Sequence, residues 1–388
     1  MLGHVNTRED APLRIALIAP PWYPLPPRGY GGVELVVTLL ARELRHRGHW
    51  AVLFGAEGSE PGITVCTQSG LDAHLGQATQ VLHEMTYLAR VVQRMQALEA
   101  FDVIHDHAGF GGALVAGLLR GAPVLHTVHG SIGVSERDFY DALGADVGLV
   151  AISDSQRRQA PDLGWVGVVH NAVDVDGLRV STAEQSPRYL LCLARICEDK
   201  GQHVAIEVAR RCGLRLILAG KVEETPQGRE YFRSQVEPLL DGTRVIYIPS
   251  VTAATKARLI ARATAMLAPI SWPEPFGLSI VEAMVSGTPA ISFRQGSAVE
   301  LIEQGVTGFV VDCADEMVAA VSRTDEIDPP TCARAARARF SPQVMTESYL
   351  RVYQRRLRRD WSVGADAPHC QTKLPLVSTD PPTLALLG

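Results

Sequence analysis

Two carboxylates, Glu274 and Glu282, stand either side of the run Pro275, Phe276, Gly277 and Leu278. Carboxylates accept hydrogen bonds from hydroxyls, so two of them at this separation can address two parts of one extended ligand, such as a sugar and a ribose. Pro273 and Pro275 hold the chain extended before Gly277, because proline fixes φ and disfavours helix in the residue ahead of it. Beyond Gly277, Leu278, Val281, Met284 and Val285 recur at helical spacing, which predicts a helix that buries one face. Residues 270–284 therefore read as a tight loop that delivers free backbone N–H groups to a helix N-terminus. Such a terminus carries partial positive charge and suits a phosphate or another polar ligand.

A second place of the same kind lies near the start of the chain. The apolar run from Arg14 to Pro20 predicts a short buried strand, and a proline-rich loop then leads to Gly29, Gly31 and Gly32. Val33, Val36, Val37, Leu40 and Leu44 follow at helical spacing, so backbone amides can again approach a ligand closely. The full dinucleotide fingerprint is missing, which argues against a nicotinamide cofactor. His105, Asp106 and His107 end the next predicted strand, and polar residues at the carboxyl end of a parallel strand face the ligand crevice of an open α/β sheet. Residues 123–130 repeat the pattern, with His129 placed before Gly130. The Gly109-Phe110-Gly111 run lacks the third glycine of a nucleotide loop and is set aside. Asp174 and Asp176 match a metal-holding Asp-x-Asp pattern, but they belong to a turn and no metal is expected.

The glutamate pair with its Pro-Phe-Gly core resembles the signature of the retaining, GT-B-fold glycosyltransferases of family 4. That resemblance implies that Glu274 touches the hydroxyls of the donor sugar and Glu282 holds the nucleotide ribose. The amides of Phe276, Gly277 and Leu278 would contact the sugar and the diphosphate. It also implies that Arg195 and Lys200 reach the diphosphate, with Ala194 in place of the usual glycine ahead of the arginine. His129 would sit by the donor sugar, Gly31 and Gly32 beside the donor phosphates and the acceptor, and Val251 at the nucleotide base. Asn171 lies in a run similar to the family's Asn-x-Val-Asp turn and joins Asp106 and His107 on the acceptor side. Residues 296–300 and 305–311 resemble the family's closing segments.

The activity so implied is transfer of a hexose from a nucleoside diphosphate sugar, UDP-sugar foremost, with retained anomeric configuration. Arg195, Lys200 and the loop amides would stand in for a metal, so no cofactor is expected. Residues 30–34, 105–107 and 272–274 are most similar to actinobacterial members, among them enzymes of oligosaccharide antibiotic assembly, which points to a small soluble acceptor. Two other readings stay open at this point: a sugar-nucleotide epimerase of the same architecture, and a donor-binding protein without turnover.

With 388 residues the chain exceeds what one core supports. The expected α/β architecture is GT-B, two Rossmann-like domains facing across a central cleft. The first covers residues 1–178 and takes the acceptor, and the second covers 188–340 and takes the donor. A helix over 341–359 crosses back to the first domain, and a disordered tail spans 360–388, rich in Pro, Ser, Thr and Asp. Residues 179–187 form the linker between the domains. No run of about 18 uncharged apolar residues exists, and the polar N-terminus lacks a signal core. Seven cysteines without a close pair suit a reducing cytoplasm. Net charge divides as −6 over residues 1–180, +2 over 181–360 and −1 beyond, which makes the −5 of the whole chain. There is no basic stripe for nucleic acid, and the acidic first half opposes stable attachment to an anionic membrane. The scarcity of lysine beside 33 arginines reads as a matter of codons rather than of function. The oligomeric state is left open.

Overall fold

The computed structural model describes residues 11–67, 78–119, 121–180 and 188–364. The first sheet holds β1 (Arg14–Ile18), β2 (Trp50–Gly55), β3 (Thr64–Val65), β4 (Val103–Asp106), β5 (Val124–Val128), β6 (Val147–Ala151) and β7 (Trp165–Val168). The second holds β8 (Tyr189–Leu193), β9 (Arg215–Ala219), β10 (Val245–Ile248), β11 (Ala265–Ala268), β12 (Ala290–Phe293) and β13 (Gly308–Val311). Strand order is β3-β2-β1-β4-β5-β6-β7 in one and β10-β9-β8-β11-β12-β13 in the other, and the ladders between these strands are parallel. Each sheet is thus doubly wound, with its order reversing beside β1 or β8, and helices cover both faces.

The strand sequences explain this arrangement. Apart from Arg14 and His126, β1, β5 and β6 are apolar or β-branched runs with nearly every residue buried, as strands covered on two faces must be. Ile15, Leu17, Val103, Leu125 and Val150 share one core of the first sheet with Val36, Val37 and Leu40 of the helix Gly32–His46. Ala16, Ile18, Ile104 and Val124 face the other core with Tyr87 and Leu88 of the helix Ala78–Gln96. The second domain has one continuous core, into which Ile152, Val173 and Leu178 also pack, so the two domains meet through apolar contact.

The last helix, Pro342–Gly364, crosses back to the first domain. Its Met345, Tyr349, Val352 and Tyr353 are buried in that domain's core, each contributing about 1.5–3 kcal/mol of burial. The helix runs to Gly364 rather than stopping at 359, because residues 360–363 contain neither proline nor glycine. The rest of the expected tail, 365–388, lies outside the described residues, as do 181–187 of the expected linker. The helix Val134–Ala142 and the two-residue strand β3 have no counterpart in the apolar pattern of the sequence.

Candidate functional site

The carboxyl ends of both sheets point into one cleft, where open α/β sheets hold their ligands. It has two chambers. The larger, about 560 Å³, is lined by Pro20 and Tyr23 after β1, His107 after β4, His129 after β5, Arg195 after β8 and Ile270 after β11. The smaller, about 210 Å³, lies between Lys221, Val251, Lys256 and Glu282. Tyr30, Gly31, Gly32, Ala194, Arg195 and Leu278 line both, so the chambers are continuous. Gly32 lets the domains close on each other here, since a Cβ on it would stand 2.7 Å from the Leu278 side chain.

The loop carrying Glu274 is held from several sides. The backbone N–H of Ser297 donates to the Glu274 carbonyl at 3.0 Å, and the Ser297 hydroxyl donates to the Phe276 carbonyl. The ring of Phe276 is buried between His170 and Phe340. Gly277, at φ 93°, then turns the chain into the helix Leu278–Val285, a conformation that only glycine adopts cheaply. Lys200 arrives on a tight turn and forms an ion pair with Glu274, its ammonium 5.2 Å from the centre of the Trp272 ring. Glu282 is buried one turn into the helix and pairs with Lys256. Arg195 pairs with Glu223 at 3.0 Å and stays partly exposed at the junction of the chambers.

On the opposite wall, His107 Nδ1 and His129 Nε2 are bonded at 2.9 Å. His107 lies against His105, with ring centres 4.1 Å apart. His105 in turn bonds the Tyr353 hydroxyl at 2.7 Å and the Thr127 hydroxyl at 2.8 Å, tying the histidine row to the crossing helix. Burial, and after it the neighbouring His126, pushes His129 down to about 3. Burial first, and then the other histidines, hold His105 and His107 well below the usual imidazole range. At neutral pH these rings therefore act as uncharged hydrogen-bonding groups. His107 Nε2, Asn171 Oδ1 and Trp272 Nε1 are buried without a hydrogen-bond partner among the described residues, and all three residues line the larger chamber. Polar atoms left unpaired in this way cost stability unless a ligand or solvent meets them.

The structure brings His129, Arg195, Lys200, Glu274, Phe276, Gly277, Leu278, Gly31, Gly32, His107 and Asn171 to the larger chamber, and Val251 and Glu282 to the smaller. Asp106 is a correction. Strand side chains alternate, so with His107 facing the cleft Asp106 turns away. It is fully buried, bonded to His126 at 2.6 Å and packed so closely on Gly112 of the helix Phe110–Leu118 that a Cβ added there would stand 2.2 Å from its oxygen. Burial raises its carboxyl above the usual range in spite of the bond to His126. Asp174, for its part, accepts the Gly177 N–H at 3.1 Å within its turn.

Among the cleft residues that the sequence reading does not single out are Glu34 and Lys256. Glu34 is 4% exposed and lines the larger chamber, without a hydrogen bond from its carboxyl to another residue among those described, and burial pushes it up to about 7. Lys256 comes from the helix Ala253–Arg262. The available signal is the lysine scarcity that reads in the sequence as a matter of codons: of the four lysines in the chain, Lys200, Lys221 and Lys256 all line the cleft.

Comparison with known proteins accords with this geometry. Residues 30–176 match the family model described as Glycosyltransferase Family 4, and residues 177–338 match the one described as Glycosyl transferases group 1. The phosphatidyl-myo-inositol mannosyltransferase of Mycobacterium leprae is 27% identical over 377 residues, covering 88% of this chain and 96% of the relative. The D-inositol 3-phosphate glycosyltransferase of Pseudarthrobacter chlorophenolicus is 26% identical over 356 residues, covering 77% and 83%. The crystal structure of AviGT4, a glycosyltransferase involved in Avilamycin A biosynthesis, is 27% identical with a TM-score of 0.67, over 89% of this chain and 98% of that one. Among the described residues no helix is long and apolar enough to cross a membrane. With both of its halves matched and its two sheets facing one cleft, the chain belongs to the GT-B-fold glycosyltransferases of family 4 and takes its sugar from a nucleotide donor.

Proposed function

We propose that the enzyme transfers a hexose from a nucleoside diphosphate sugar, UDP-sugar foremost, to a small soluble acceptor in the cytoplasm, with retained configuration and without a divalent metal. The observation that carries this reading is the position of Arg195 between two chambers, with Glu274 in one and Glu282 in the other. A sugar, a diphosphate and a nucleoside follow one another in the same order along a donor.

The chemical difficulty is the departing diphosphate, which gathers negative charge as the glycosidic bond breaks. Fixed donors aimed at developing charge are usually the largest catalytic term. Arg195, Lys200 and the amides at Gly277 supply them in this reading. The acceptor hydroxyl attacks from the face that the phosphate leaves, and the phosphate takes its proton, so no protein nucleophile is needed. Uncharged His129 and His107 hold hydroxyls of the sugar and the acceptor without competing with the cations for the diphosphate. The resemblance to AviGT4, a glycosyltransferase involved in Avilamycin A biosynthesis, favours a soluble acceptor.

A lipid-linked acceptor is the second reading. It is favoured by the exposed apolar side chains of Val81, Leu82, Met85, Phe110, Leu114 and Leu118 on the first domain, and by the phosphatidylinositol substrate in the name of the mycobacterial relative. Incubation with a panel of nucleotide sugars and candidate acceptors, read by release of free nucleoside diphosphate and by the anomeric coupling of the product, tests the main reading. Inverted product, or activity abolished by EDTA and restored by magnesium or manganese, overturns it. Turnover confined to acceptors in vesicles selects the second reading.

A further inference from the structure

A chain that uses arginine almost throughout keeps Lys256 beside Glu282, at the nucleoside end of the cleft. Lysine carries a compact ammonium with three rotatable donors, where arginine presents a broad planar fork. The Lys256 ammonium is placed by the first turn of the helix Ala253–Arg262, which Thr252 caps by accepting the Thr255 N–H at 3.2 Å. It bonds Glu282 through Oε1 alone, and Oε2 has no hydrogen-bond partner among the described residues. The Lys256 side chain is 24% exposed and that of Glu282 8%, and both line the smaller chamber. One ammonium donor is thus spent, and a carboxylate oxygen remains open to a ligand.

This matters for a sugar hydroxyl, which donates one hydrogen bond and accepts others. A carboxylate can only accept its hydrogen bond, and an ammonium can only donate to its oxygen. Side by side they satisfy both capacities of one hydroxyl. Resting on the reading of Glu282 as the ribose contact, we propose that the nucleotide ribose is read jointly by Lys256 and Glu282. One hydroxyl donates to Glu282 and accepts from Lys256, and Lys256 thereby determines preference for ribose over deoxyribose. A site built to hydrogen-bond a hydroxyl discriminates against the ligand lacking it, because its own buried polar groups are then left unpaired.

The test is calorimetric titration of the full chain with the tightest binder among UDP, GDP and ADP, and with its 2′-deoxy and 3′-deoxy forms. The wild type is expected to bind at least one deoxy form about tenfold or more weakly than the ribo form. In Lys256→Met that preference is expected to fall below about threefold. Glu282→Gln keeps the ammonium beside an uncharged partner, so part of the preference is expected to survive there and to vanish when Lys256→Met is added. The double variant leaves no bare carboxylate, which keeps the test available if Lys256→Met alone does not fold. Equal weakening of ribo and deoxy ligands by Lys256→Met, or a preference unchanged by it, overturns the proposal while leaving the donor reading intact. A wild type that binds none of the diphosphates, or binds ribo and deoxy forms alike, overturns the ribose assignment of Glu282 beneath it.

Discussion

The Lys200 ammonium is closed onto the Glu274 carboxylate, with the face of Trp272 against its other side. Both charges of the sugar end therefore neutralise each other in the free enzyme, and each is available to a donor that separates them. On the proposed reading the ammonium turns to the diphosphate. Charge-assisted hydrogen bonds contribute roughly 1.5–3 kcal/mol. Lys200→Ala is accordingly expected to lower turnover at least about tenfold with the fold retained, checked by steady-state kinetics and circular dichroism. Unchanged kinetics would assign the residue to the wall of the cleft alone.

Glu300 joins the domains. Its carboxylate accepts the backbone N–H groups of Asp154 at 2.9 Å and Ser155 at 2.8 Å, and it lies 3.4 Å from His170 Nε2. Burial pushes this carboxyl up, but the bonds from His170, Ser155 and Asp154 outweigh it and hold the group below the usual range. A depressed folded value means stability that is present above the unfolded value and lost as pH falls through the folded one. Glu300→Gln should cost about 1–3 kcal/mol at pH 7, with the gap to wild type closing in acid. Denaturant titrations at pH 7 and pH 4 measure it, and a gap that stays constant would refute the assignment.

Glu34 has the opposite sign. Its carboxyl is raised to about 7 by burial, so the folded state holds a proton that the unfolded state releases near 4.5. Stability from this group is complete below that lower value and declines as pH rises toward 7, by on the order of 3 kcal/mol in all. Glu34→Gln removes the linkage. Thermal melts should show the variant gaining on wild type between pH 5 and pH 8, and parallel curves would contradict it.

Much of this is legible in the sequence. Apolar runs such as those of β1 and β8 mark strands buried on two faces, and the Pro-Phe-Gly core announces the loop and helix that carry Glu274 and Glu282. Other features depend on distance along the chain. Lys256 meets Glu282 only because two helices lie side by side, and neither local sequence mentions the other. Asp106 and His107 look alike as polar strand-end residues, and the pleat alone decides which faces the cleft. Glu34 reads as an ordinary first-turn acid of its helix until the fold buries it in the wall of the cleft.

Glu274 and Glu282 resemble each other in sequence, yet on the proposed reading they fail differently. Glu274 lines the larger chamber on a loop, where it would meet sugar hydroxyls absent from a free nucleoside diphosphate. Glu274→Gln should therefore lower kcat while the affinity for the diphosphate barely moves. Glu282 lines the smaller chamber within a helix, buried and already oriented by Lys256, where the ribose of that same diphosphate would lie. Glu282→Gln should weaken the diphosphate by roughly 1–3 kcal/mol, the cost of an impaired buried hydrogen bond, which is about five- to 150-fold in Kd. Titrating the nucleoside diphosphate into both variants decides between them. Equal losses in the two would mean that the chambers do not divide sugar from nucleoside, and the direction of the donor along the cleft would have to be reversed or abandoned.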